Sequence, residues 1–385
     1  MSEKADSRTR APLASIVIVS YNYARFLPAA IDSALNQTHP RVEVIVVDDG
    51  STDDSPHIIN RYGTRVSSLL KENEGADAAR NDGFAISTGD IVCFLDSDDT
   101  LQPTAVEHVV EAFADPTVAK VHWRLWMIDE KGRRTGGSFP SMDLSEGNLR
   151  EVVIAHGPQS YGSSPTSGSA YARWFLDQVF PIPENMEQRS GACDDVLSML
   201  APLFGRVKAV GLEGSYRIHG SNDYWGRSLE VLDATVRDYG RCCDLLRDTC
   251  TRMGIQVDVS AWRSSSWFCT LRQALQELVD VVPPGEVFIL VDDDKWGSGD
   301  LVAGRRRLPF VEHEGQHWGR PIDDEHAIGE LERLRARGAR FLVLGWSAFW
   351  WRDYYAGWFE YIRSSFRCLL TNERLDVFDL TSAPV

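Results

Sequence analysis

No apolar run in this chain approaches the ~20 residues that cross a bilayer, so no transmembrane anchor is expected. The opening residues, MSEKADSRTRAP, are polar and lack the apolar stretch of a secretory leader. Positive charge is scarce: 40 Lys and Arg against 56 Asp and Glu leave a net charge of −16, which argues against nucleic acid or an anionic membrane as the main partner. The one short basic run is Arg305–Arg306–Arg307, and at most a peripheral membrane association is compatible with this balance. The seven cysteines (Cys93, Cys193, Cys242, Cys243, Cys250, Cys269, Cys368) form no CxxC pair and no zinc-like spacing. Their scatter fits reduced thiols in a cytoplasmic protein. Internal repeats and low-complexity tracts are missing as well.

What is present is a globular composition over 385 residues, long enough for two domains. SIVIVS (15–20) and VEVIVVDD (42–49) are β-branched runs of the kind that form buried parallel strands. Between them Phe26, Leu27, Ala30, Ile31, Ala34 and Leu35 recur at helical spacing. GADAARNDGFAIS (75–87) predicts a further helix before the strand DIVCFL (90–95), and Pro103 opens the next one. VAKVHWRLWMID (118–129) ends in a turn at EKGR, and a glycine- and serine-rich stretch follows up to Ser169. Helical patterns are expected over 171–180 and 194–204, then a short strand, VKAVGL, then two helices over 228–281. After Pro283–Pro284 the α/β pattern restarts with VFILVDD (287–293), FLVLGW (341–346) and a closing hairpin. The expected division is a disordered N-terminus (1–13), an α/β domain (14–227), a helical linker (228–284) and a smaller C-terminal α/β domain (285–385).

In an open α/β sheet, ligands bind beyond the carboxyl ends of the strands. Three strands here end in chemically loaded sequence: Ser20-Tyr21-Asn22, Asp48-Asp49-Gly50-Ser51 and Asp96-Ser97-Asp98-Asp99. Each alone reads equally well as a turn or helix cap. Together on one edge they offer carboxylates for a hard cation such as Mg²⁺ or Mn²⁺. Tyr21 adds a flat face for a base, and Asp49 an acceptor for base or ribose donors.

The stretches SIVIVSYNYARFLPAAIDSALNQT, VEVIVVDDGSTDDS, NEGADAARNDGFAISTGDIVCFLDSDDTLQP, SGSAYAR, PIPE and YRIHGSN resemble family 2 glycosyltransferases over roughly residues 14–225. The resemblance implies the GT-A type nucleotide-diphospho-sugar transferase fold, an open mixed, mostly parallel sheet. It further implies metal-dependent, inverting transfer from a UDP-, dTDP- or GDP-linked sugar to a glycan, lipid-linked or small-molecule hydroxyl. It assigns Ser20, Tyr21, Asp49 and Ser97 to the nucleotide. It assigns Asp96 and Asp98, the DxD pair, to the metal (Mn²⁺ or Mg²⁺), with His219 closing over it and Arg217 assisting. The general base falls in GACDDVLSML, at Asp194 or its neighbour Asp195; Cys193 stands where the family usually has an acidic residue. Arg80 and Asn81 fit donor contact or helix packing.

Two other readings compete. A strand followed by Asp96-Ser97-Asp98-Asp99-Thr100-Leu101 also suits a haloacid-dehalogenase-type phosphatase with Asp96 as nucleophile, although two complete strand–helix units precede the motif. A non-catalytic carbohydrate-binding or scaffold protein could keep the same fold. Beyond residue 285, VDDDKWGSGD suggests a second acidic strand end, and SAFWWRDYY suits packing or an acceptor-side surface.

Overall fold

The computed structural model describes residues 11–183, 193–219, 228–297, 302–314 and 316–383. The N-terminal residues up to 10, Glu184 of PIPE, residues 220–222 of YRIHGSN and residues 298–300 of VDDDKWGSGD lie outside the described residues. The chain divides into two compact units, Met1–Asp223 with Asp238–Trp262 and Tyr224–Arg237 with Arg263–Val385. No described helix is long and apolar enough to cross a membrane.

The strands of the first unit are β1 (Ala14–Ser20), β2 (Val42–Asp49), β3 (Ser67–Lys71), β4 (Ile91–Asp96), β5 (Thr100–Leu101), β6 (Val118–Ile128), β7 (Arg134–Phe139), β8 (Ser169–Ala172) and β9 (Arg206–Arg217). Its helices are α1 (Leu27–Leu35), α2 (Ser55–Tyr62), α3 (Ala76–Ile86), α4 (Ala105–Ala112), α5 (Arg150–His156), α6 (Arg173–Leu176) and α7 (Cys193–Phe204). The sheet order is β3-β2-β1-β4-β8-β6-β9-β5, with β7 paired to β6. β1, β2, β3 and β4 run parallel, and the unbroken apolar runs of β1, β2 and β4 are those of strands covered on both faces. Ile16 and Ile18 pack with α1 and α4, whereas Val17 meets α3, where Gly83 has no room for a Cβ against Val17. β4 then pairs antiparallel with β8, and β8 with β6.

Three local expectations are corrected. Residues 171–180 are not one helix: Tyr171 and Ala172 finish β8, and only Arg173–Leu176 is helical. Ala170 and Tyr171 fill core positions beside β4 and β6, so sheet pairing overrides the local helical pattern. The short strand VKAVGL is the start of a twelve-residue strand, β9, extended by pairing with β6. The two helices of 228–281 are three: α8 (Leu229–Arg252), α9 (Val259–Ser265) and α10 (Trp267–Val281).

In the second unit β10 (Val287–Val291), β11 (Arg306–Pro309), β14 (Phe341–Gly345), β15 (Arg367–Thr371) and β16 (Leu375–Asp379) form a sheet ordered β11-β10-β14-β16-β15. β12 (Glu312–His313) and β13 (Gln316–His317) make a separate pair. The period-two alternation of β10 is direct: Ile289 and Val291 face α11 (Asp324–Ala336), α12 (Trp351–Tyr354) and α13 (Ala356–Ser365), and Phe288 and Leu290 face α10.

Candidate active site

The register places the loaded strand ends together. Ser20 on β1 lies opposite Asp48 on β2, and Val19 opposite Asp96 on β4. The turn after β2 needs glycine: Gly50 has φ +76°, and a Cβ there would stand 2.6 Å from the Asn73 nitrogen. Asn22, itself at φ +58°, laces the β1 and β2 ends together. Its Oδ1 accepts from the Thr52 nitrogen at 2.7 Å, and its own nitrogen donates to Ser51 Oγ at 2.8 Å. Buried Asp49 accepts from the Glu74 and Gly75 nitrogens at 2.9 and 2.8 Å, ordering the loop into α3. Each of those oxygens has a second lone pair for a ligand. Tyr21, the residue after β1, leaves 46% of its surface exposed, and Ser20 and Ser97 are buried. Ser20 Oγ has no hydrogen-bond partner among the described residues.

After β4 the chain folds back because β5 pairs antiparallel with Gly214 and Ser215 of β9. That pairing brings the end of β9 onto the acidic loop. Arg217 donates from its nitrogen to Asp99 Oδ1 at 2.9 Å and from Nε to the Asp98 carbonyl at 2.7 Å. His219 Nε2 lies 2.9 Å from Asp98 Oδ2, with its ring against Phe26 and Tyr23. Arg80 reaches up from α3 to Asp96 Oδ1 at 3.0 Å, and its other terminal nitrogen meets Asp77. Burial pushes the Asp96 carboxyl up to about 6; Arg80 opposes the shift, and the charges of Asp194 and Asp98 add to it. Buried Asp99 is also pushed well above the usual carboxylate range, by burial and then by Asp98 and Asp96. The edge thus gathers more negative charge than its own cations neutralise. Among the described residues no three His, Cys, Asp or Glu side chains converge into a ready-made metal cage.

The other wall is the first turn of α7. Asp194 Oδ2 accepts from the Thr166 nitrogen at 2.9 Å and Oδ1 from the Thr166 hydroxyl. Neighbouring Ser167 Oγ accepts from the Asp96 nitrogen at 3.1 Å, so one short segment fixes both β4 and α7. Asp195 faces elsewhere: Gln159 Nε2 donates to it at 3.1 Å, and it bears electrostatically on Cys242. Burial pushes Asp195 up to about 6, with Gln159 opposing. Asn81 exchanges two hydrogen bonds with the Ile182 backbone. Thr166 and the hydroxyl role of Ser167 escaped the sequence reading. Lys120, a lysine inside the apolar run VAKVHW, carried a signal that went unused.

The acidic strand end of the second unit is occupied by protein. Asp293 accepts from the Trp350 and Trp351 indole nitrogens at 2.9 and 3.0 Å and pairs with Arg320, while Asp292 accepts from the Trp296 nitrogen. Trp351 and Trp358 are fully buried. Much of SAFWWRDYY is therefore core, and Tyr354 remains exposed.

The carboxyl edge of the first sheet thus gathers clustered carboxylates from β2, β4 and α7. Residues 15–158 match the model described as Glycosyl transferase family 2, so the first unit carries a domain of that family. An uncharacterized glycosyltransferase of Nostoc sp. is 37% identical over 216 residues, 54% of this chain and 66% of the relative. Chondroitin synthase of Escherichia coli is 35% identical over 262 residues, 66% of this chain and 35% of that protein. Hyaluronan synthase of Pasteurella multocida is 37% identical over 151 residues, 38% of this chain and 16% of that protein. The chain thus spans less than two thirds of the length of these relatives. Among solved structures, S. aureus TarS aligns over 70% of this chain and 49% of its own at 17% identity, with a TM-score of 0.45, too loose a likeness to carry anything further.

Proposed function

We propose that the first unit transfers a sugar from a nucleotide-diphosphate donor to an acceptor hydroxyl, by single displacement with inversion at C1. The observation that carries this reading is the meeting of the Asp96–Asp98 loop and Asp194 across one edge, close enough for Asp194 to raise the Asp96 carboxyl. Tyr21, Asp49, Ser20 and Ser97 lie at that edge to receive the base, the ribose and the first phosphate. Asp194 accepts the proton of the attacking hydroxyl, with Thr166 fixing its orientation. Asp195 turns toward Gln159 and α8, which favours Asp194 of the two. Arg217, locked to the Asp98 and Asp99 backbone and side chain, holds the acidic loop in shape.

The donor set suits a divalent cation, Mn²⁺ or Mg²⁺. Asp96 and Asp98 offer hard oxygen ligands in a site of surplus negative charge, and such ions complete their shell with water and substrate phosphate. A preformed cage is therefore not required. His219, bonded to Asp98, stands at the same position. When bound, the ion would supply positive charge to the departing diphosphate. Relatives named for chondroitin and hyaluronan, both polysaccharides, favour a glycan over a lipid-linked or small-molecule acceptor. The test is release of nucleoside diphosphate from a sugar nucleotide by Asp194→Asn. A fall in kcat of roughly 10²- to 10⁴-fold is expected for a lost general base. Unchanged turnover in both Asp194→Asn and Asp195→Asn would refute the assignment.

A further inference from the structure

Lys120 lies in β6 with its side chain fully buried. Among the described residues its ammonium meets hydroxyls and no carboxylate within ion-pair distance. Nζ donates to Ser163 Oγ at 2.6 Å and to Ser198 Oγ at 2.8 Å, with Tyr161 OH at 3.5 Å. The rings of Tyr161 and Tyr171 flank it at 5.5 and 5.8 Å. Burying a charge without a counter-ion is costly, and a chain tolerates such a group most readily where a site uses it.

The charge faces the first turn of α7. Ser198 follows Asp194 by four residues, so the two share a helix face one turn apart. Residues 159–166 close the arrangement around that turn: Gln159 donates to Asp195, Tyr161 OH to the Ser198 carbonyl at 2.6 Å, and Thr166 to Asp194. Burial brings Lys120 down to about 7, and Asp194 and Asp195 pull it back up. His122, two residues along β6, is held near 3 by burial and by Lys120, and Ser145 takes its Nε2. His122 is therefore neutral across the working range and leaves Lys120 as the cation that acts on the pair.

We propose that Lys120 is a positioning residue for the base: through Ser163 and Ser198 its buried charge fixes the Asp194–Asp195 turn. This rests on reading that turn as the source of the base. A nearby positive charge favours the ionised carboxylate, so removing it raises the carboxyl's pKa. The acid limb of kcat then moves to higher pH.

The experiment uses the full chain and the sugar nucleotide whose diphosphate gives the largest stabilisation among UDP, dTDP, GDP, CDP and ADP. Diphosphate release is followed from pH 5 to 9. In Lys120→Met the acid limb should rise by about one unit, a roughly tenfold loss of kcat at a pH well below the limb, with donor KM within about twofold. A purely structural role would instead lower kcat evenly and leave the limb in place, and that result overturns the proposal. Should Lys120→Met not fold, the Ser163→Ala/Ser198→Ala double variant strips the ammonium of two contacts, and the limb should move in the same direction; an unmoved limb refutes the idea there too. Asp194→Asn and Asp195→Asn run alongside separate the two failures. If both keep full kcat, the base reading and this inference fall together. If one is inactive while the Lys120→Met limb stays in place, only the inference about Lys120 falls.

Discussion

At the scale of single residues, the two adjacent carboxylates of α7 have been given different surroundings. Asp194 is clasped by Thr166 and faces Asp96, whereas Asp195 is buried beside Gln159 and α8. Asp195 is pushed up to about 6, above its value in an unfolded chain, so between about pH 4 and 6 the folded state binds the extra proton. Its contribution to stability is therefore present at the acid end and lost as pH rises through that window. Denaturant midpoints at pH 4.5 and 6.5, without divalent cations, should show a decline in the native chain that shrinks in Asp195→Asn. An identical decline in both would contradict the assignment. The residues at the ends of β1, β2 and β4 stood out because three loaded strand ends share one edge of an open α/β sheet. Thr166 and Ser167 were not legible. Small hydroxyl residues in a glycine- and serine-rich stretch look alike until the fold shows which of them meet Asp194 and Asp96.

At the scale of elements, the site depends on turns as much as on side chains. Gly50 ends β2 in a left-handed conformation against Asn73, and Asn22 bonds across to Thr52 and Ser51. Gly50→Ala should cost about 1–3 kcal/mol by strain at a special backbone position, read as a shift in urea midpoint, and should weaken diphosphate binding by displacing Tyr21 and Asp49. A variant as stable as the native chain would show that the turn is not so constrained. Strands β1, β2 and β4 and helices α1, α3 and α4 were readable because their periodicity agrees with their burial. β8 was missed, its last residues being read as helix, and β9 was read too short. Their lengths are set by pairing with β6, a partner distant in sequence that no local pattern announces.

At the scale of the whole molecule, two sheets of similar strand chemistry have unlike carboxyl edges. In the first unit the acidic residues at the edge crowd one another, with Arg80 and Arg217 as the nearby cations. In the second, Asp293 is engaged by two indoles and Arg320, which is a packing arrangement. The sequence alone could not separate these cases, since both read as aspartates after an apolar strand. Metal-dependent nucleotide binding is proposed for the first edge alone. Thermal unfolding of the full chain is followed with UDP, dTDP, GDP, CDP or ADP, each with and without Mn²⁺, in the native protein and in Asp98→Asn. A ligand at a hundred times its Kd stabilises the folded state by about 2.7 kcal/mol. One diphosphate is expected to raise the midpoint only when Mn²⁺ is present, and Asp98→Asn is expected to abolish the rise. No rise with any of the five, or a rise indifferent to both Mn²⁺ and Asp98, would contradict metal-dependent binding at this edge.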